Sequence, residues 1–241
     1  MNATTSARRC GWTFRFRRTV ALAATLAALL PSAQAASPSF DCKRAQTPSE
    51  RAICAQPQLA RQDARIAGLY RQRRQALDAT GREALARDQR YFLYVRDRVH
   101  ALTTDDGGVA GLERLQRRRI EFLEAIDTSP RRGPAGRWGN LESQAQVEAR
   151  DGRWQLVVSG AEPITARWLC EYDGTAIARG DRWQADDAEY RRRVSLRRDG
   201  ALLALEDGPL GADGDRGATP YCGANGSLDG AYLPLRGAAA R

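Results

Sequence analysis

The residues able to do acid–base or nucleophilic chemistry are few and scattered. His100 is the only histidine among 241 residues. An imidazole can act as a general base near neutral pH, but it needs a nucleophile within reach, and no serine or cysteine stands in a recognisable relation to it. A place at the surface or at a helix end is the expectation for His100. Asp63 lies four residues after Leu59 and three before Ile66, so it falls on an apolar helical stripe. No second acid shares that stripe, and an arginine or a backbone amide is its expected partner. In Gly226-Ser227-Leu228-Asp229-Gly230 the serine directly follows the glycine, so the segment is not a Gly-x-Ser-x-Gly nucleophile elbow. The chain has no glycine-rich phosphate loop, no His-Glu-x-x-His helix and no Cys-x-x-Cys pair. These observations lead to the expectation of a non-enzyme without cofactor or metal.

Binding residues are easier to nominate. Arg71, Arg73 and Arg74, and the run Arg117, Arg118 and Arg119, are either solvated helix faces or a surface for an anionic polymer. Asp186 and Asp187 with Glu189, and Asp213 with Asp215, are candidate acidic patches. Arg191 to Arg193, with Arg197 and Arg198, form a basic strand edge that can guard against aggregation. Trp138, Trp154, Trp168 and Trp183 can stack on sugars or fill a core. Nothing in the pattern points to nucleic acid.

The elements that must carry these residues begin after a leader. Arg8, Arg9, Arg15, Arg17 and Arg18 precede an apolar run from Val20 to Leu30, then Ala33-Gln34-Ala35, which reads as a secretory signal peptide over 1–35. The formal net charge is +9, and removing the five leader arginines leaves +4. The run is too short to span a bilayer, so no transmembrane segment is expected in the mature chain. The mature chain is expected in the periplasm or secreted. It keeps Cys42, Cys54, Cys170 and Cys222, an even number in an exported protein, so disulfides are expected. Three connectivities are possible. Pairing within each half, 42 with 54 and 170 with 222, is expected.

Thr47-Pro48-x-Glu50 reads as a capping box with proline at the first helical position. From Pro57, Leu59, Ile66, Leu69, Tyr70 and Leu77 define a long amphipathic helix that stops at Gly81. A second runs from about Arg82 to Ala101. A third starts near Gly108, capped by Asp106, after the break at Asp105, Asp106, Gly107 and Gly108. These helices predict an antiparallel hairpin or three-helix domain over 36–127. Prolines and glycines over 128–137 mark a linker. Beyond it, Asp151-Gly152, Asp173-Gly174 and Asp199-Gly200 each predict a tight hairpin turn. Alternation from Ile164 to Tyr172 predicts a strand with Trp168 and Cys170 inward. The expected fold class is α+β, with a small antiparallel β-barrel-like domain of six to eight strands over 138–236.

Phe40-Asp41-Cys42 through Thr47, Glu50 and Ala52-Ile53-Cys54, then Pro57, Leu59, Asp63, Leu69 and Tyr70, resembles the N-terminal domain of the LprI-type lysozyme inhibitor family. Gln89, Arg96-Asp97, Leu112 and Arg119-Ile120 continue the pattern, so the resemblance covers about residues 38 to 126. The family's second cysteine pair is replaced here by Val99 or His100 and by Gly111, and the lipidation cysteine of lipoprotein members is absent. The β half is similar at fold level to membrane-bound c-type lysozyme inhibitors, without their Ser-Gly-x-Arg-Tyr loop. The resemblance implies an envelope protein whose partner is lysozyme, a muramidase that works between two carboxylates. Inhibition would then mean filling that cleft. Host c-type lysozymes are basic, so a mature charge of +4 gives no long-range steering toward them. The alternative expectation is a non-inhibitory envelope module that contacts anionic lipid headgroups or polymers through its basic helical faces.

Overall fold

A computed structural model describes residues 37–102, 108–211 and 219–237. The leader, Cys10, the Asp105–Gly107 break with its Asp106 cap, and Asp213 with Asp215 lie outside the described residues.

A 3-10 turn over Cys42–Arg44 leads into α1 (Pro48–Ala55). Thr47 Oγ1 accepts the Glu50 amide at 3.2 Å, and the Glu50 carboxylate accepts the Thr47 and Gln46 amides at 3.1 and 2.7 Å. This reciprocal cap satisfies amides that a helix start leaves open. The Cys42–Cys54 disulfide ties the turn to α1. Ile53, Leu59 and Leu112 form a small core above it.

α2 (Pro57–Ala76) buries Leu59, Ile66 and Leu69, as their spacing requires. It ends earlier than expected. Leu77 is its C-cap, and Asp78 starts α3 (Ala79–Leu102) by accepting the Gly81 amide at 2.8 Å. Gly81 thus lies inside the first turn of α3, where a Cβ would sit 3.0–3.2 Å from Asp78 and Leu77 side-chain atoms. It serves close packing at an elbow, not helix termination. α4 (Val109–Ala125) follows Gly108.

The strands β1 (Gly136–Gly139), β2 (Ser143–Arg150), β3 (Arg153–Ala161), β4 (Leu169–Arg179), β5 (Arg182–Asp187), β6 (Arg192–Asp199), β7 (Leu202–Pro209) and β8 (Gly230–Leu235) form a closed antiparallel barrel in sequence order. β1 pairs with β8, which leaves no free edge. The fold class is α+β, as the sequence predicts.

Asp151-Gly152 turns as expected, both residues at positive φ. Asp173-Gly174 does not turn. It lies within β4, opposite Val157 and Leu156 of β3. A Cβ at Gly174 would stand 2.2 Å from the Tyr172 hydroxyl, so this glycine makes room for an aromatic ring. The β4–β5 hairpin turns instead at Gly180-Asp181, between the paired Arg179 and Arg182. Asp199 ends β6, paired with Leu202, and the turn is Gly200-Ala201. The expected strand from Ile164 is also corrected. Residues 162–168 form a loop closed by Glu162 N donating to Trp168 O at 3.0 Å, and Ala166 has φ +53.

The barrel interior is packed with Trp138, Leu156, Val158, Trp168, Tyr172, Leu196, Leu205 and Tyr232 among others, with Trp154 and Trp183 against it. All four tryptophans of this half therefore contribute to the core. The Cys170–Cys222 disulfide pins the segment before β8 to the start of β4.

Leu202, Leu233 and Leu235 share a second core with Ile66, Leu69, Leu85, Phe92, Leu123 and Ile126 of the helical half. Backbone joins the halves as well. Ile126 bridges Leu235, Asp127 N donates to Pro234 O at 2.8 Å, and Arg236 N donates to Ala125 O at 2.7 Å. Asp78 accepts the Ala201 amide at 2.7 Å, and Gly200 at φ +56 leaves the space in which Asp78 and Thr80 meet that turn. The described residues form a single compact unit. None of their helices is long and apolar enough to cross a membrane.

Candidate functional site

The chemistry-bearing residues of the helical half are held in two buried networks. In the first, Arg96 on α3 stands 3.9 Å from Asp63, 3.8 Å from Glu50 and 3.3 Å from Asp97. Asp63 also accepts the Ser39 amide at 2.7 Å and its hydroxyl at 2.6 Å, while the Ser49 hydroxyl donates to Asp97. Asp63 thus meets both kinds of expected partner, and its stripe is a packing surface. In the second, the fully buried Arg119 guanidinium pairs with Asp88, donates to Gln89 Oε1 at 2.8 and 3.1 Å, and lies 5.2 and 5.1 Å from the Phe92 and Phe122 ring centres. Asp88 in turn accepts the Leu141 amide of the β1–β2 turn at 2.8 Å. His100, half-buried near the end of α3, packs against Gly108, where a Cβ would stand 2.6 Å from the His100 carbonyl.

The nominated binding residues separate. Arg117, Arg118 and Arg119 do not share a face, because successive helical residues point about 100° apart. Arg119 is core, Arg117 is exposed and pairs with Glu113 at 3.4 Å, and Arg118 faces a groove. That 100° step is present in the sequence and already separates the run. Asp186 is engaged by Arg193 through two hydrogen bonds of 2.5 and 2.9 Å, which hold its carboxyl below the ordinary range. Asp187 closes its own turn by accepting the Glu189 and Tyr190 amides at 3.0 and 3.1 Å, and it accepts the Tyr221 hydroxyl at 2.9 Å. Burial, then this carboxylate, push the Tyr221 hydroxyl up, so it remains a donor. Neither Asp186 nor Asp187 lines the groove of Arg118.

Two of the concavities on or beside the helical half carry nominated arginines. A groove of about 770 Å³ runs along the seam of α4 and the barrel, lined by Arg118, Phe122, Arg137, Leu141, Glu142 and Ile164 among others. One wall is the 162–168 loop, held by Glu162, which accepts the Thr165 amide at 2.6 Å and hydroxyl at 3.0 Å. A shallower depression of about 370 Å³ at the α2–α3 elbow is lined by Tyr70, Arg71, Arg74, Gln75 and Arg82, with no carboxylate among them. Arg73, by contrast, turns inward and donates to the Leu123 and Glu124 carbonyls at 2.7 and 3.0 Å.

Two of these structural carboxylates make stability depend on acid. The Thr47 and Gln46 amides hold Glu50 below its ordinary value of 4.5. Desolvation opposes the charge of Glu162, but the Thr165 amide and hydroxyl, the Ile164 amide and the Arg167 charge together outweigh it and lower this carboxyl as well. A carboxyl lowered in the folded state contributes stability that is fully present above its unfolded value and is lost as pH falls through the folded one. Denaturation midpoints should therefore be level from pH 7 to about 5 and decline below about 4.5. Glu50→Gln should flatten part of that decline, measured by urea unfolding at each pH.

Residues 42–123 match the family described as Lysozyme inhibitor LprI. The match covers α1 to nearly the end of α4 with the Cys42–Cys54 staple, and an eight-stranded barrel follows it. No curated protein and no solved structure matches the chain. The matched segment contains both arginines and all of their carboxylate partners, with only Ser39 and Leu141 of the two networks outside it, so residues of the matched segment build its scaffold. Together with the two disulfides, the family points to an extracytoplasmic protein.

Proposed function

We propose that this is a lysozyme inhibitor, exported to the periplasm on the 1–35 leader, that protects peptidoglycan by occluding the lysozyme cleft. The observation that carries this reading is the family match over α1 to α4. The buried disposition of Asp63 and the helix-end position of His100 accord with it, since neither is placed for acid–base work. The protein purified after export should slow lysis of peptidoglycan at near-stoichiometric ratio to lysozyme. Undiminished lysis at a tenfold excess would overturn the reading.

A second reading is favoured by the carboxylate-free arginine depression at Arg71, Arg74 and Arg82. In it, these side chains bind the phosphates of an anionic envelope surface as charge-assisted forks. The same preparation, titrated with anionic phospholipid vesicles, separates the two. Salt-sensitive binding abolished by Arg71→Glu and Arg74→Glu, without inhibition of lysozyme, selects the second.

A further inference from the structure

The exposed face of α3 changes character along its length. In its first half the charges are internally matched, Glu83 with Arg87 one turn on. From Arg90 onward they are not. Arg90, Leu93, Tyr94, Arg98, Ala101 and Leu102 recur at spacings of three and four, so they form one exposed stripe of about three turns. Leu93, Tyr94 and Leu102 are 39%, 50% and 59% exposed. They account for three of the seven large hydrophobic side chains exposed among the described residues, which marks a clustered patch instead of scattered surface. Among the described residues, neither Arg90 nor Arg98 has a carboxylate within ion-pair distance.

The centre of the stripe is held in place from within. Tyr91 donates to Glu142 Oε1 of the β1–β2 turn at 2.8 Å. The Tyr94 ring stacks on the Tyr91 ring at 6.2 Å and 14°, and the Arg98 guanidinium lies 5.3 Å from the Tyr94 ring centre. An aromatic ring and a guanidinium already ordered on a rigid helix lose little conformational freedom on binding. Tyrosine and arginine are also the residue types that dominate binding energy at protein interfaces.

We propose that this stripe is the surface that enters the lysozyme cleft, with Tyr94 occupying sugar-ring space and Arg98 facing the catalytic carboxylates. The assignment rests on the inhibitor reading above. Charge complementarity selects the occupant. The cleft presents two carboxylates, and the stripe presents two arginines that pair with no acid among the described residues. It also lies within the segment that matches the family. The seam groove, by contrast, carries both signs of charge, and a concavity cannot fill a cleft.

Tyr94→Ala and Arg98→Glu, both at exposed positions, should leave the melting curve unchanged and weaken inhibition by about 30-fold or more, the size expected of an interface anchor. Arg71→Glu in the elbow depression should leave inhibition as it was. A saturating N-acetylglucosamine oligosaccharide should displace the protein from lysozyme in proportion to cleft occupancy. If the unaltered protein inhibits, but Tyr94→Ala and Arg98→Glu inhibit within about threefold of it, or the oligosaccharide fails to compete, the stripe is not the cleft-binding surface and only this assignment falls. If the unaltered protein does not inhibit at all, the inhibitor reading falls and the assignment with it.

Discussion

Replacing Arg119 by methionine is expected to destabilise the protein by about 3–5 kcal/mol, the usual cost of stranding one member of a buried ion pair. Arg119 has no exposed side-chain surface and Asp88 only 9%. Methionine fills much of the aliphatic volume but leaves the Asp88 carboxylate with the Leu141 amide alone, Gln89 Oε1 without its donors, and the Phe92 and Phe122 rings without their cation. Because Asp88 links α3 to the β1–β2 turn, the loss should appear in the whole unfolding transition and not in a separate helical phase. The double variant Arg119→Met with Asp88→Asn removes both charges, and it should recover at least half of the loss. Urea denaturation of the four proteins in the cycle measures this. A single variant within about 0.5 kcal/mol of the unaltered protein would show that the network does not hold the fold.

Removing the Cys170–Cys222 bridge is the second large effect. The link closes 52 residues of chain. In the chain-entropy account, whose mechanism is disputed, closure on that scale stabilises by about 4 kcal/mol, against about 3 kcal/mol for the short Cys42–Cys54 loop. The longer bridge also sits in a packed place: Cys170 is buried among the barrel core, and the segment it pins carries Tyr221 and Leu228 into that core. Cys170→Ala with Cys222→Ala should therefore lower the denaturation midpoint more than Cys42→Ala with Cys54→Ala. The opposite order would mean that the α1 staple, not barrel closure, limits stability.

Much of the architecture was legible because it is encoded locally. The Thr47–Glu50 box, the 59–66–69 stripe and the Asp151-Gly152 turn depend on neighbours within a few residues, and each forms as its spacing predicts. Both cysteine pairs likewise form within their own halves. Asp173-Gly174 misled for a physical reason. The same dipeptide that permits a turn also permits close approach of a ring, and only the barrel packing that lays the Tyr172 side chain of the same strand over Gly174 decides between them. Ile164 alternated with its neighbours, yet Glu162 caps a loop there because its carboxylate finds the Thr165 amide and hydroxyl.

For the candidate surfaces the division is sharper. Composition could nominate Arg117, Arg118 and Arg119, but charge in a sequence says nothing about which side chain a partner acid will draw inside. Asp88, 31 residues away, takes Arg119. Tyr94 and Arg98 drew no notice in the sequence, since a tyrosine and an arginine on a helix are ordinary until their neighbours are known. What the sequence determined by itself was the order of elements, the two staples and the family pattern of the helical half, all set by short-range spacing. What only the tertiary structure decided was which charges pair among the described residues and which face of α3 stays exposed, because burial and pairing depend on contacts between residues far apart in the chain.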